Sequence, residues 1–237
     1  MRRYLNSPAI LISVILFACE EDPIIEKKDL VYAYDFKESL QEWSVGFTDY
    51  PLGEEEFYEL DSAWVTLPYP LNQTKKSLMI EGNNHSDDLF MFMKRKIKGL
   101  DTLTQYSVSF SVEFASNYPE SYLGVGGSPG SSVFLKAGVT LEEPIAVKED
   151  GNWRMNIDKG NQAEGGTDML LLGHIGTNRQ DEQYDLIRRN NNEEQSFKMT
   201  TDEKGEAWLI LGTDSGFEGK TRLYYNRIKV TFTRHEA

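Results

Sequence analysis

Cysteine is nearly absent from this chain, which has one such residue, Cys19, among 237. A single thiol excludes an internal disulfide, so a folded domain has to rely on its hydrophobic core. Histidine is scarce as well, and the three histidines show no zinc-ligand spacing. The sequence has no internal repeat, no heptad pattern and no low-complexity block beyond residues 190–192. These absences exclude a disulfide-rich scaffold, a zinc finger, a solenoid and a coiled coil.

Basic residues are outnumbered, with 25 lysines and arginines against 38 acidic residues and a formal net charge of −13. Such a surface repels nucleic-acid phosphates, so no nucleic-acid partner is expected. Electrostatic docking on anionic lipid is disfavoured for the same reason. The composition still permits divalent cations and neutral ligands.

The N-terminal segment combines two arginines with an apolar run that ends at Ala18. The run has the length of a secretory signal and is too short for a stable membrane-spanning helix. Residues 16–19, LFAC, resemble the lipobox of bacterial lipoproteins, in which a small residue precedes the cysteine. The resemblance implies a signal peptide over residues 1–18 and a membrane anchor made by lipidation of Cys19. The alternative is an apolar strand with a buried cysteine.

Residues 19–28 are charged and contain one proline, which predicts a tether between anchor and domain. The acidic run Glu20-Glu21-Asp22 resembles the surface-export signals of some Gram-negative lipoproteins. We therefore expect an outer-membrane location, with the domain either exposed at the surface or facing the periplasm.

A period of two dominates the rest of the chain and predicts β-strands. Residues 105–116, QYSVSFSVEFAS, alternate large apolar side chains with small polar ones, which is typical of a half-buried antiparallel strand. Residues 29–36 and 223–233 follow the same pattern, and only residues 179–189 have helical composition. The pattern predicts an all-β fold, a jelly-roll β-sandwich of antiparallel strands. Residues 29–237 form a single domain in this interpretation, and two small all-β modules are the alternative.

Several positions follow a recurring order: an early Asp-Phe, a following Trp, a Gly-Leu pair and a TxYxVSF strand, here Asp35-Phe36, Trp43, Gly99-Leu100, Thr104, Tyr106 and Val108–Phe110. This order resembles the galactose-binding-like jelly rolls that many carbohydrate-binding modules share. The remaining loops resemble those of uncharacterised bacterial lipoproteins with this kind of domain. The resemblance implies glycan binding and a last strand that pairs with the first.

The same resemblance raises the question of calcium. Asn226 stands where these modules commonly carry an aspartate that helps to hold a structural calcium. Asp35 together with Asn226 could still coordinate a hard cation through oxygen. A structural calcium is therefore a hypothesis for this pair, and no other cofactor is expected.

Polar loops supply the candidate ligand-binding residues. The loops around residues 83–88, 158–162 and 214–218 carry acids, amides and glycines, and sugar hydroxyls need such paired donors and acceptors. Ordinary turns use the same residues. Among the tryptophans, Trp43 and Trp208 are expected in the core and Trp64 at the surface as a stacking platform. The candidates are Trp64, Asp87, Asp88, Asp158, Asn161, Asp214 and Glu218.

Two enzyme-like motifs fail on inspection. Residues 126–130 match G-x-S-x-G but lack the following helix that this motif needs, so they predict a turn. Glu59-Leu60-Asp61 begins a two-carboxylate glycosidase pattern, yet Trp64 stands at the position of the second glutamate. We therefore expect a non-catalytic domain of the cell envelope that binds glycan. The alternatives are a structural or assembly subunit that binds another envelope protein and, less favoured, a glycan-active enzyme.

Overall fold

The computed structural model describes residues 29–191 and 195–235. The signal peptide, Cys19 and the tether lie outside these residues, so lipidation and outer-membrane location stay predictions. Within the described part of the chain, no helix is long and apolar enough to cross a membrane.

The described residues form fifteen β-strands and no α-helix. The strands are β1 (Leu30–Tyr34), β2 (Ser44–Thr48), β3 (Tyr50–Pro51), β4 (Asp61–Thr66), β5 (Lys76–Asn83), β6 (Phe90–Lys98), β7 (Gln105–Ser116), β8 (Val133–Thr140), β9 (Ala146–Glu149), β10 (Asn152–Met155), β11 (Met169–His174), β12 (Asp185–Asn190), β13 (Phe197–Thr200), β14 (Glu206–Ser215) and β15 (Lys220–Arg234).

Two large antiparallel sheets pack face to face. The seven-stranded sheet has the order β12-β7-β15-β5-β4, with β1 added to β15 and β13 added to β7. The five-stranded sheet has the order β11-β8-β14-β6-β2, and a small third sheet joins β3, β10 and β9. The main hydrophobic core lies between the two large sheets. The predicted all-β sandwich of antiparallel strands is confirmed.

Strand β7 shows how the alternating pattern builds this core. Its apolar residues from Tyr106 to Phe114 are buried, while the serines between them and Glu113 point away from the core. Each fully buried large side chain contributes about 1.5–3 kcal/mol to folding. Strand β15 pairs with β7 and, on its other side, with β1, where Leu30 lies opposite Phe232. The first and last strands therefore pair, as the family resemblance implied.

Part of the segment with helical composition, residues 179–189, forms strand β12. Asp185–Asn190 extend along β7 as a strand, with Arg188 opposite Glu113. The side chain of Arg189 turns towards the other sheet and donates to the carbonyl of His174 at 2.8 Å. Pairing with the open edge of β7 outweighs a helix propensity worth only a few tenths of a kcal/mol per residue.

Residues 141–168, called the covering segment below, lie over the outer face of the five-stranded sheet. A second hydrophobic cluster forms there, and it contains Phe90, Phe92, Ile157, Met169 and Ile210, with Met155 packed against it. Glycines in the sheet make room for this layer. A Cβ on Gly138 would overlap the carbonyl oxygen of Asp168, and a Cβ on Gly212 would lie 2.5 Å from the ring of Phe90.

The two tryptophans that are expected in the core have different environments. Trp43 is buried in the main core, edge-to-face with Tyr34, as predicted. The prediction was wrong for Trp208, which is half-buried on the outer face of β14. There the ammonium groups of Lys94 and Lys96 lie 5.3 and 6.0 Å from its ring. The period of two in β14 places Trp208 outside because Ala207 and Leu209 point into the core.

Candidate functional site

The covering segment brings several of the predicted polar loops together. Gln162 donates its backbone N–H to Asp214 at 3.0 Å and its side-chain amide to the carbonyl of Asp87 at 3.1 Å. Beside it is a cleft of about 280 Å³ whose lining includes Asp88, Asp158 and Asn161. Five of the seven predicted residues therefore lie in one neighbourhood.

Asp214 has a structural role in this neighbourhood. Its side chain is fully buried, and one carboxylate oxygen accepts from the ammonium groups of Lys136 at 2.9 Å and Lys159 at 2.8 Å. Lys159 also contacts Asp49 at 3.2 Å. Burial lowers the pKa of Lys136. Burial also lowers the pKa of Lys159, but Asp214 and Asp49 outweigh it and raise the value. Asp214 thus ties the covering segment to the sheet and does not face a ligand.

The two predicted carboxylates that line the cleft, Asp158 and Asp88, are also engaged by the protein. Asp158 accepts from the backbone N–H groups of Thr167 and Gly160, which lower its pKa. Asp88 lies 3.6 Å from the guanidinium of Arg154. Burial, followed by the nearby charge of Asp49, raises the pKa of Asp88. The cleft is therefore built mainly from turn and ion-pair contacts, with Asn161 exposed at its rim.

Trp64 and Glu218 do not line this cleft. Trp64 lies on β4, the edge strand of the seven-stranded sheet, and its side chain is partly exposed. Its indole N–H donates to the carbonyl of Phe36 at 2.7 Å, and the ammonium of Lys76 lies 5.1 Å from its ring. Glu218 follows β14, and its backbone N–H donates to Val125 at 2.9 Å. The structure thus separates these two candidates from the other five.

A different surface also carries many polar groups, namely the outer face of the seven-stranded sheet. Three cavities of about 410, 320 and 610 Å³ lie on it. The first and second share Ser111, Arg188 and Lys229, and the second and third share Ser109, Asn191 and Thr231. They form one continuous depression, called the sheet groove below. Its polar lining is Asp29, Asp35, Gln41, Ser107, Ser109, Ser111, Glu113, Arg188, Asn190, Asn191, Ser196, Arg227, Lys229, Thr231 and Thr233.

Strand register arranges the floor of the sheet groove in rows, because opposed residues in antiparallel strands point to the same face. One row crosses three strands as Arg188, Glu113 and Arg227. The next row crosses four strands as Asn190, Ser111, Lys229 and Ala33. A third row contains Ser109, Thr231 and Val31.

Charge in the groove is partly paired and partly free. Glu113 accepts from Arg188 at 2.7 Å and from the side-chain amide of Asn226 at 2.6 Å. Burial raises the pKa of Glu113, but these donors outweigh it and the pKa is lowered. Arg227 lies opposite Glu113 and its charge also lowers the pKa of Glu113, but the side chains of Arg227 and Lys229 form no hydrogen bond or close ion pair with any residue that the structure describes. These two cations are available to a ligand.

Asp35 and Asn226, the predicted calcium pair, both lie near the first row. Asp35 lines the groove, whereas Asn226 is buried and gives its amide to Glu113. Over residues 29–191 and 195–235, no cluster of three or more His, Cys, Asp or Glu could hold a metal ion. Calcium binding stays a prediction, and the contacts of this pair do not support it.

The sequence patterns contained an unused signal for the sheet groove. The serines of β7 and the residues Arg227, Lys229, Thr231 and Thr233 of β15 occupy every second position, so each strand has one polar face. The alternation therefore predicts one polar face for each of these strands. The tertiary structure adds two facts that these patterns do not contain. It places the two strands side by side, and nothing in the described chain covers their polar faces in the way that the covering segment covers the other sheet.

Comparison with known proteins gives similarities of fold at low identity. No protein-family model matches the chain, and no curated protein matches it. The chain is similar to the CBM22-1–GH10 modules of Clostridium thermocellum endo-1,4-β-D-xylanase 10B, solved with xylohexaose, at a TM-score of 0.41 and 11% identity. That match covers 86% of this chain but only 28% of the xylanase chain.

Two isolated modules match over most of their own length. The CBM22-1 xylan-binding domain from Paenibacillus barcinonensis has a TM-score of 0.41 and 9% identity, over 89% of this chain and 99% of that one. The mannan-recognising module TmCBM27 has a TM-score of 0.37 and 8% identity, over 87% and 99%. At these values, the ligand of the present chain has to be argued from its own residues.

Proposed function

We propose that this chain is a non-catalytic glycan-binding domain and that the sheet groove is its binding surface. The observation that supports this most directly is the continuous groove across four neighbouring strands, which is lined by hydroxyl, amide and cationic side chains, among them the exposed Asn190, Arg227 and Lys229. Sugar hydroxyls require both donors and acceptors, and serine, threonine and asparagine supply both. Strand-borne side chains also hold such groups more rigidly than loops do.

The proposal of binding without catalysis is supported by the state of Glu113, one of three carboxylates that line the groove. Glycoside hydrolysis needs a carboxylic acid that can donate a proton, which requires a raised pKa. The pKa of Glu113 is lowered by Arg188 and Asn226, so the group stays ionised at neutral pH. Glu113 therefore suits the role of a hydrogen-bond acceptor.

We also propose that Cys19 anchors the chain to a bacterial membrane through lipid, most simply at the outer membrane. The support is the resemblance of residues 16–19 to a lipobox. Metabolic labelling with a radioactive or alkyne-tagged palmitate tests this. Label should appear in the wild-type chain and be absent from a Cys19→Ser variant. Equal labelling of both chains would contradict the anchor.

The glycan proposal is tested by binding of the full chain, in mild detergent, to an array of purified polysaccharides. Ser111→Tyr places a large side chain in the floor of the groove and should abolish saturable binding. Ser62→Tyr makes the same change on β4, outside the groove, and should bind like wild type. If no array glycan binds, or if both variants bind like wild type, the sheet groove is not a glycan site.

A further inference from the structure

The sheet groove offers no aromatic platform for a sugar ring. Tyr34 and Phe110 are the aromatic residues among its described lining, and both side chains are buried. Stacking on an exposed ring therefore cannot supply much of the binding free energy. A ligand of this groove has to be held by hydrogen bonds and charge.

The sheet groove is lined by three acids, Asp29, Asp35 and Glu113, and by three bases, Arg188, Arg227 and Lys229, so an excess of positive charge is confined to its central cavity. Arg227 and Lys229 project from β15 two residues apart, roughly 6.6 Å along the strand. The central cavity is lined by Arg188 and Lys229, and its described lining contains no acidic side chain. This local excess of cations contrasts with a chain in which acids outnumber bases by 38 to 25.

Neutral donors surround these cations. Lys229 shares its row with Ser111 and Asn190, and Thr231 and Ser109 occupy the next row. Arginine can grip two oxygens of one anionic group at once, and lysine adds a point charge. Hydroxyl and amide donors beside them would satisfy the remaining oxygens of a carboxylate or sulfate.

We infer that the sheet groove binds a glycan with acidic sugar residues, and that Arg227 and Lys229 contact the carboxylate of a uronic acid or the ester of a sulfated sugar. This inference rests on the proposed glycan-binding function. Widely spaced acidic groups fit better than a dense polyanion, because the net charge of the remaining chain repels a dense polyanion.

The test uses small probes whose neutral counterparts exist. The full chain is titrated, with ligand-observed NMR, against the methyl glycosides of glucuronate, galacturonate and mannuronate. Glucose, galactose and mannose methyl glycosides are the neutral partners, and their 6-sulfates form a third set. At least one acidic sugar should bind about tenfold more tightly than its neutral partner, as expected for one hydrogen bond to a charged group. Salt at roughly 0.5 M should weaken this preference.

Charge variants locate the effect. The double variant Arg227→Gln and Lys229→Gln should remove the preference for the acidic sugar. The double variant Lys96→Gln and Lys98→Gln removes the same number of positive charges from the five-stranded sheet and should keep the preference. The single variant Lys229→Gln should weaken the preference, whereas Lys229→Arg retains the positive charge and should preserve it. Unfolding midpoints of all variants are compared with wild type, so that a folding defect is recognised.

The outcomes separate the two levels of the hypothesis. Binding of uronates but not sulfates, or the reverse, identifies the acidic group. If acidic and neutral sugars bind equally and Ser111→Tyr abolishes both, the acidic-sugar inference is overturned and the glycan-binding function stands. If the double variant keeps a tenfold preference, Arg227 and Lys229 are not the contacts. Absence of binding by every sugar, together with a negative polysaccharide array, overturns both.

Discussion

The outer faces of the two large sheets differ in how far the described chain covers them. Lys136 on β8 and Lys229 on β15 both point away from the main core. Lys136 is fully buried beneath the covering segment and paired with Asp214, whereas Lys229 is exposed and has no partner among the described residues. A buried charge has to be paired or it destabilises the fold. An exposed and unpaired charge contributes little to folding and remains available for binding.

The comparison therefore assigns stability to one face and recognition to the other. On the five-stranded sheet, carboxylates and ammonium groups neutralise each other within a water-poor layer above Phe90 and Phe92. On the seven-stranded sheet, Arg188 pairs with Glu113, whereas Arg227 and Lys229 form no hydrogen bond or close ion pair with the described residues. Variants on the two faces should consequently change different measured quantities.

The largest expected effect is on the buried ion pairs. Asp214→Ala removes a carboxylate that pairs with the buried ammonium groups of Lys136 and Lys159. It should lower the free energy of unfolding by about 3–5 kcal/mol. Chemical denaturation followed by tryptophan fluorescence measures this change. Lys229→Ala on the open face is the matched control and should change it by less than about 0.5 kcal/mol. Similar losses for the two variants would contradict the division of roles.

The second effect concerns the contact between the covering segment and the sheet. Gly138→Ala puts a methyl group against the backbone carbonyl of Asp168, which cannot move without displacing the segment. Such overpacking should cost about 1–3 kcal/mol of unfolding free energy. Ser109→Ala, on the open face, should stay within about 0.5 kcal/mol of wild type. If Gly138→Ala leaves the free energy of unfolding unchanged, the covering segment is only loosely attached to the sheet.

The smallest expected effect is on the pH dependence of stability, which should change in opposite directions for Asp88 and Asp158 of the cleft. The pKa of Asp88 is raised in the folded state, so folding opposes its ionisation and the cost is present above its folded pKa. Asp88→Asn should therefore increase stability at pH 7, by less than about 1 kcal/mol because the group is partly exposed. The gain should disappear as the pH falls below the ordinary value of 3.8.

Asp158 is the counterpart with the opposite sign. Its pKa is lowered, so its ionised form stabilises the fold above the unfolded value, and this stability is lost as the pH falls through the folded value. Asp158→Asn should reduce stability at pH 7, and the difference from wild type should shrink in acid. Denaturation midpoints at several pH values check both variants. The same sign for both would show that local backbone donors do not control Asp158.

Local patterns predicted the strands better than the site. The apolar alternation of residues 105–116 coincides with β7 because one face of that strand meets the core. The loops that carry Asp88, Asp158 and Asn161 were also predicted as polar and do meet in one cleft. The helical composition of residues 179–189 gave no sign of β12, because strand pairing along β7 is a long-range contact that local composition does not contain.

The amino-acid pattern is enough to predict that the domain is all-β and that one face of β7 and of β15 is polar, because side-chain direction in a strand follows from a period of two. The pattern does not predict that residues 141–168 cover one sheet or that Arg188, Arg227 and Lys229 gather on the other. Both facts depend on contacts between segments far apart in the chain. The energy of those contacts comes from burial and charge pairing, which a linear pattern does not specify.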